Sequence, residues 1–305
     1  MASSPARAAE PGAARHPAHR WLGAATGALL LGACASMDEP PPNALRQTLL
    51  GLTPGGELIR FSASRPQDLQ ERKPVIGLPA GEQLLGLDFR VSRGVLYTLS
   101  SRGQLYTLDA SNGQLSAVGA PIALALNGQQ FGVDVNPVAD RLRVVSDRGQ
   151  SLRLHPDTGA AIDGDPTRDG LQPDAELQFA PGDVNTGRTP RLVAAAYTYN
   201  QRDDKLTTNY AIDAGLGALL TQGSAEGLAP VVSPNSGRLF TVGALGTGPL
   251  QDASFDIADV DNTALAALRS AGRTRLYRVD LASGAATLLG TIAGGGPLQG
   301  LAIIP

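Results

Sequence analysis

Three features of the sequence predict an all-β fold of the propeller class: a strand–turn–strand unit that recurs four times, a second motif that repeats 46 positions apart, and almost no helical periodicity. The turns have ample material, with 37 Gly and 22 Pro. Aromatic residues make up only 4% of the chain, so the core must come from Leu, Val, Ile and Ala.

The first unit reads Leu105-Tyr-Thr-Leu-Asp109, Leu152-Arg-Leu-His155, Tyr210-Ala-Ile-Asp213 and Leu276-Tyr-Arg-Val-Asp280. Each copy is followed four residues later by a glycine, at Gly113, Gly159, Gly217 and Gly284. The polar residue closes a tight turn by bonding the backbone, and glycine supplies the positive φ. The second motif is Gly86-Leu-Asp-Phe89, matched by Gly132-Val-Asp-Val135, less fully by Phe255-Asp256-Ile257, and by the small-residue version Ala194-Ala-Ala-Tyr197. Small and β-branched residues without charge runs suit inner strands crowded around a channel. The repeat length falls in the range of propeller blades, about 40–50 residues.

The units so defined are 45–80 with 295–305, 84–121, 129–185, 190–250 and 253–293. Leu58-Ile-Arg-Phe61 lacks an inner strand before it, and Gly300-Leu-Ala-Ile303 lacks a hairpin after it. Pairing the two termini completes one blade and leaves no exposed sheet edge. The third and fourth units are long, and Val231-Val-Ser-Pro-Asn235 with Arg238-Leu-Phe240 resembles Val135-Asn-Pro137 with Arg141-Leu142. Five blades are expected, and a sixth, degenerate one stays open.

The front of the chain has a different character. Arg7, Arg15 and Arg20 precede an uncharged run of 13 residues, Trp21 to Ala33. A positive start, a short apolar stretch and small residues before a cut site mark a secretory signal peptide. A spanning helix needs about 20 residues, so this run targets the chain and does not anchor it. Leu31-Gly32-Ala33-Cys34 resembles the lipobox of bacterial lipoproteins, with Cys34, the sole cysteine, as the acylated residue. Ala35 in place of Asp points to the outer membrane. The expected division is therefore 1–33 signal peptide, 34–44 lipidated cysteine and Pro-rich tether, and 45–305 propeller. The leaflet exposed is left open.

Formal net charge is −3, with no basic block, which argues against a nucleic-acid partner. His16 and His19 leave with the signal peptide, so His155 is the one histidine of the mature chain and a Ser-His-Asp triad would rest on it alone. It occupies the turn position held by Asp109, Asp213 and Asp280. A zinc site built from several His or Cys ligands is excluded. Oxygen ligands are better supplied. Asp163, Asp165 and Asp169 alternate in an Asp/Gly-rich loop, and Asp256, Asp259 and Asp261 form a second cluster, so one of them is a candidate for Ca²⁺. The first loop has Arg168 where the calcium loop needs glycine, and Asp174 rather than Glu at its twelfth position. Asp88, Asp134 and Asp256 recur at one inner-strand position. There they either gather a cation or hydrogen-bond the backbone of the next blade, and the second reading is favoured.

Phe131-Gly-Val-Asp-Val-Asn-Pro-Val-Ala-Asp-Arg-Leu-Arg-Val-Val-Ser146, with Ala180-Pro-Gly-Asp-Val-Asn185, Ala194-Ala-Ala-Tyr-Thr198 and Thr241-Val-Gly-Ala-Leu-Gly246, resembles the bacterial domain of unknown function 4394 family over residues 48–304. The resemblance implies a propeller-like fold and a secreted protein. It implies no activity. It makes Asn136, Asp140, Arg141, Arg143, Asp183 and Asn185, beside Asp88 and Asp134, the candidates for a shared binding site. The expectation is an outer-membrane-tethered periplasmic lipoprotein acting as a binding or scaffold module for an unidentified small molecule or protein. The alternatives are a metal-assisted hydrolase or other enzyme using propeller-face carboxylates, and a purely structural envelope protein.

Overall fold

The protein is a five-bladed β-propeller, seen in a computed structural model that describes residues 39–305. Cys34 and the expected signal peptide lie outside the described residues.

The chain begins in blade 1 with β1 (Thr48–Leu52), β2 (Glu57–Ser62) and β3 (Arg65–Pro74). Blade 2 holds β4 (Leu84–Arg90), β5 (Val95–Ser100), β6 (Leu105–Leu108) and β7 (Leu115–Val118). Blade 3 holds β8 (Phe131–Asn136), β9 (Arg141–Ser146) and β10 (Ser151–Leu154), widened by a bridge from Leu154 to Ala161. A long connection follows and contributes β11 (Gln178–Phe179). Blade 4 then forms from β12 (Leu192–Tyr197), β13 (Asn209–Asp213), β14 (Ala218–Gln222) and β15 (Arg238–Ala244), with β11 parallel on its outer edge. Blade 5 holds β16 (Asp252–Ile257), β17 (Ala264–Ser270), β18 (Arg273–Val279) and β19 (Ala286–Thr291).

The last strand, β20 (Gly300–Ile303), returns to pair antiparallel with β1, Leu49 opposite Ile303 and Leu52 opposite Gly300. It becomes the inner strand of blade 1, so the two ends of the chain close the ring, as the unpaired terminal motifs predict. No sixth blade forms among the described residues. Arg238–Ala244 is the fourth strand of blade 4, and its likeness to the segment after Val135 reflects the turn ahead of it, a single 3-10 turn at Pro234–Ser236 ending on the left-handed Gly237. The third unit is long because part of it crosses to blade 4 as β11.

The turn chemistry is realised in all four copies. Gly113 donates to the Asp109 carbonyl at 2.7 Å, Gly159 to His155 at 2.8 Å, Gly217 to Asp213 at 2.9 Å and Gly284 to Asp280 at 2.8 Å. The φ of Gly113 is 80°, open to glycine at little cost. One copy occupies a different place. Tyr210–Asp213 lies in the second strand of its blade, whereas the other three lie in the third. A tight turn is dictated by four or five local residues, and any hairpin of a blade can use it.

Hydrophobic clusters fill the five gaps between neighbouring blades. Leu50, Leu87 and Tyr106 pack between blades 1 and 2, Leu105, Phe131 and Val144 between 2 and 3, and Val145, Phe179 and Leu220 between 3 and 4. Phe255 and Tyr277 with Ile212 join blades 4 and 5, and Leu265 with Phe61 and Leu301 join 5 and 1. At the centre the inner strands meet tightly. A Cβ placed on Gly132 would stand 2.5 Å from the backbone of Ala194 and Ala195, and one on Gly300 would stand 2.8 Å from Leu87. The gap these residues line is about 10 Å³, room for roughly one water.

Candidate functional site

Along an inner strand every second residue faces the same neighbouring blade. Gly86, Asp88 and Arg90 of β4 share the face toward blade 3, and Gly132, Asp134 and Asn136 of β8 share the face toward blade 4. The glycine allows close approach, and the carboxylate two residues on reaches the next strand. Asp88 accepts the Val135 N–H at 2.7 Å, Asp134 accepts that of Tyr197 at 3.1 Å, and Asp256 accepts that of Ile303 at 2.5 Å. The other oxygen of Asp256 accepts its own neighbour's Ile257 N–H at 2.6 Å. In the two remaining inner strands alanines take this place, Ala196 and Ala302.

These three acids also converge on one another. One carboxylate oxygen from each lies within 4.8 Å of the other two, and the residues are only 4%, 4% and 6% exposed. Burial pushes Asp88 well above the usual carboxylate range, and the charge of Asp256 adds to it. Burial does the same to Asp134, helped by Asp88 and Asp256. Asp256 is pushed up to about 7 by burial, against two backbone N–H groups that favour its charge. Three carboxylates this close in low dielectric cannot all ionise, so protons or a cation must share the space.

Tyr199 leaves β12 three residues past Ala196. Burial raises its hydroxyl pKa far above normal, and Asp88, Asp134, Asp256 and Asp259 add to the shift. Its backbone is fixed across blades, since Asn262 accepts its N–H at 2.7 Å and donates to its carbonyl at 2.8 Å.

Two arginine centres tie the blades farther out. Arg90 holds Asp140 through two bonds, at 2.7 and 2.5 Å, and Asp157 at 2.5 Å, reaching from blade 2 to two turns of blade 3. Asp140 and then Asp157 hold the guanidinium well above its ordinary pKa. Arg143 lies directly opposite Asp134 on β9 and is almost wholly buried. It donates to Asp174 at 2.5 Å, Asn235 at 2.6 Å, Ser151 at 2.9 Å and the Tyr197 hydroxyl at 3.2 Å. Burial opposes its charge, and Tyr197 and Asp174 more than offset this. Arg153 grips the same Asp174 at 2.7 Å.

The remaining candidates hold loops. Asn136 accepts the Val138 and Ala139 N–H groups in its turn, and Arg141 donates to the Asp140 carbonyl. Asp183 accepts both the N–H and the hydroxyl of Thr241, and Asn185 donates to that hydroxyl. His155 closes its turn, its Nδ1 accepting the Asp157 N–H at 3.2 Å.

The oxygens of the two calcium candidates take protein partners. Asp163 accepts backbone N–H groups of Asp165 and Gln172, Asp165 turns to Thr167, and Asp169 offers its carbonyl to Gln172. Asp174, the twelfth position of that loop, is taken by the two arginines. In the second cluster Asp261 accepts the Thr263 N–H, and Asp256 points inward to Asp88 and Asp134 rather than to Asp259 and Asp261. Among the described residues, the one carboxylate group with metal-like convergence is the inner-strand trio. Arg90, Asp157 and Tyr199 escape a reading of the sequence, which places Asp174 only as the twelfth position of a loop. Only Arg90, two residues after the repeated Asp88, carries a positional signal.

No curated protein matches the sequence. Comparison with solved structures gives distant likenesses. A dihydro-heme d1 dehydrogenase, NirN, in complex with DHE is 14% identical over 82% of this chain and 47% of its own, with a TM-score of 0.37. The glutaminyl cyclase of Myxococcus xanthus is 12% identical over 79% of this chain and 100% of its own, with a TM-score of 0.44. A structural genomics protein of unknown function from Bacteroides thetaiotaomicron VPI-5482 is 13% identical over 82% of this chain and 60% of its own, at 0.45. The chain thus spans about half the length of NirN and the whole of the cyclase. The sequence model of one family matches residues 57–302, from β2 of the first blade to the closing strand, and the chain belongs to that family, the domain of unknown function DUF4394.

Proposed function

We propose that the protein is a lipoprotein of the bacterial envelope, anchored through Cys34 on the periplasmic side of the outer membrane, whose propeller is a rigid binding or scaffold module. The observation that carries this reading is where the buried charges go. Asp88, Asp134, Asp256, Arg90 and Arg143 each join one blade to the next, and groups so used hold a frame rigid for the loops at its ends. The lipobox-like Leu31-Gly32-Ala33-Cys34 supports the anchor, since two or more acyl chains give stable attachment where one is marginal. Labelled fatty acid should enter the wild-type chain and not Cys34→Ser, which should fractionate as a soluble protein. A wild-type chain without label would overturn the anchor. Turnover in a broad hydrolase screen, abolished by Asp134→Asn, would overturn the scaffold.

A second reading has its own support. Asp88, Asp134 and Asp256 bring three oxygens within 4.8 Å of one another, and hard cations such as Ca²⁺ take oxygen ligands. A cation there would neutralise the charge that otherwise demands protons. It would lock the inner strands or, with an open position, polarise a substrate. Thermal melts of a chain starting at Ala35 separate the cases. Ca²⁺ at 100-fold over its Kd stabilises by about 2.7 kcal/mol. A rise in Tm reversed by EDTA and lost in Asp88→Asn supports a cation, and identical curves remove it.

A further inference from the structure

The ring repeats its side-chain positions as well as its turns, so one blade shows what an equivalent residue in another can hold. Counting outward across blade 3 from its inner strand, Asp134 pairs with Arg143, and Arg143 with Arg153. In blade 1 the same count runs from Ala302 to Leu50, and from Leu50 to Arg60. Arg60 and Arg153 are therefore equivalent. Arg153 grips a carboxylate, that of the buried Asp174 on the connection to blade 4, at 2.7, 2.9 and 3.0 Å.

Arg60 has no such partner. Leu58 packs between blades 1 and 2, and Arg60, two residues on, turns to the same side. Its Nε is buried and has no hydrogen-bond partner among the described residues. The Glu71 carboxylate stands 3.9 Å from that nitrogen, and its other oxygen is held by Lys73 at 2.6 Å. Beside Arg60 lies a cleft of about 480 Å³ between the two blades, lined by Phe89, Val95, Gly94 and Ser111. Asp109 also borders it, but Ser111 and Asn112 hold that carboxylate in its own turn.

The cleft is open because a bridge used in the next gap is missing from this one. Between blades 2 and 3, Arg90 holds both Asp140 and Asp157. The counterpart of Arg90, four residues after Gly300 as Arg90 is four after Gly86, is Ile304. Gly94 takes the left-handed place of Asp140, and Ser111 the turn place of Asp157. Uncharged residues at all three places leave the gap unbridged. Its size falls within that of small-molecule sites, about 300–1,000 Å³, which combine apolar walls with a few placed polar groups.

We propose that this cleft binds a small organic acid, its carboxylate paired with Arg60 as Asp174 is with Arg153, and its apolar body against Phe89 and Val95. A guanidinium presents its N–H donors in a planar fork that matches a carboxylate, and such pairs are the stronger hydrogen bonds of proteins. This names the ligand class for the binding-module reading and rests on that reading; the lipid anchor plays no part in it.

The test titrates the full chain by calorimetry with phenylacetate, with phenylacetamide, which lacks the charge, and with acetate, which lacks the body. Phenylacetate should bind at least tenfold more tightly than either. Arg60→Met should lose at least tenfold in affinity with an unchanged melting curve, and Arg60→Lys should lose less. Ala110→Phe, which fills the cleft and keeps Arg60, should weaken binding as well. Equal binding of phenylacetate by the wild type, Arg60→Met and Ala110→Phe would put the acid elsewhere, overturning this site and leaving the binding reading standing. No heat from phenylacetate at millimolar concentration would also overturn the site, whereas the binding reading falls only to turnover in the hydrolase screen.

Discussion

The Asp88 carboxylate on β4 accepts the Val135 N–H of β8 at 2.7 Å while it stands within 4.8 Å of Asp134 and Asp256. The first relationship needs only an acceptor; the second makes charge costly. A carboxyl whose folded pKa lies above its unfolded value binds its proton more tightly in the folded state, so stability is greatest below about pH 4 and declines until the folded value is passed. For Asp256 that window closes near 7.

Stability should therefore fall as pH rises from about 4 to 7 in metal-free buffer, and Asp134→Asn should flatten the fall. The amide keeps an acceptor for the Tyr197 N–H and removes one charge, so at pH 8 it should stabilise by on the order of 1–3 kcal/mol. Asp134→Ala strands that N–H and should lose about 1–3 kcal/mol at pH 5. Urea titrations at both pH values decide. Equal losses for Asn and Ala at both would show that the acids do not repel one another.

The two arginine centres differ in what a substitution leaves behind. Removing the Arg143 side chain leaves Asp174, 1% exposed, with Arg153 alone. Breaking a buried pair costs about 3–5 kcal/mol, and Arg143→Met should fall in that range. Removing Arg90 frees Asp140 and Asp157, whose side chains are 43% and 57% exposed and can take up water. Arg90→Met should cost nearer 1 kcal/mol, as for exposed pairs. Adding Asp174→Asn should recover part of the Arg143→Met loss and leave Arg90→Met unchanged. The ranking is read from urea midpoints and is refuted if Arg90→Met is the worse.

How much of this was legible follows from the range of the interactions. The turns at Asp109, His155, Asp213 and Asp280 are decided within five residues, so the hairpins stand in the sequence. The strand of the blade that each hairpin uses does not, and Tyr210–Asp213 falls one strand inward. The repeated Asp88, Asp134 and Asp256 were visible because a ring places equivalent positions side by side. Asp163, Asp165 and Asp169 sit close in sequence, yet the carboxylates of the first two serve local N–H groups and the third offers its backbone carbonyl to the Gln172 side chain. Asp174, only five residues on, is claimed by arginines 31 and 21 positions away. Tyr199 and Asp157 reach their partners through loops, where no period announces them.

Space at the centre gives a third prediction. Gly132 and Gly86 hold equivalent places, but an added Cβ would strike the backbone of Ala194 and Ala195 in one case and the Val133 side chain in the other, both at 2.5 Å. Rotation relieves the Val133 methyl but not its Cβ, 2.6 Å from the same point, so β8 must shift slightly for Gly86→Ala. Gly132→Ala asks the backbone of Ala194 and Ala195 itself to move. Overpacking usually costs about 1–3 kcal/mol. Gly86→Ala should fall in that range, and Gly132→Ala should exceed it. Equal Tm values for the two variants would show that the inner strands can spread.

Closure by the termini gives the last. Ending the chain at Gln299 removes β20, and with it Leu301 and Ile303 from the core between blades 5 and 1 and the Ile303 N–H from Asp256. It also bares the inner edge of β1, from Leu49 to Leu52. An unpaired edge lined with buried-type residues is a template for another strand. The shortened chain should lose its cooperative thermal transition and associate on a sizing column. A synthetic peptide covering residues 296–305 should bind it, restore the transition and suppress association, because the edge it fills is otherwise intact. A monomer that melts within a few degrees of the full chain would mean that the ring does not depend on this strand, and that blades 1 and 5 hold through their side chains alone.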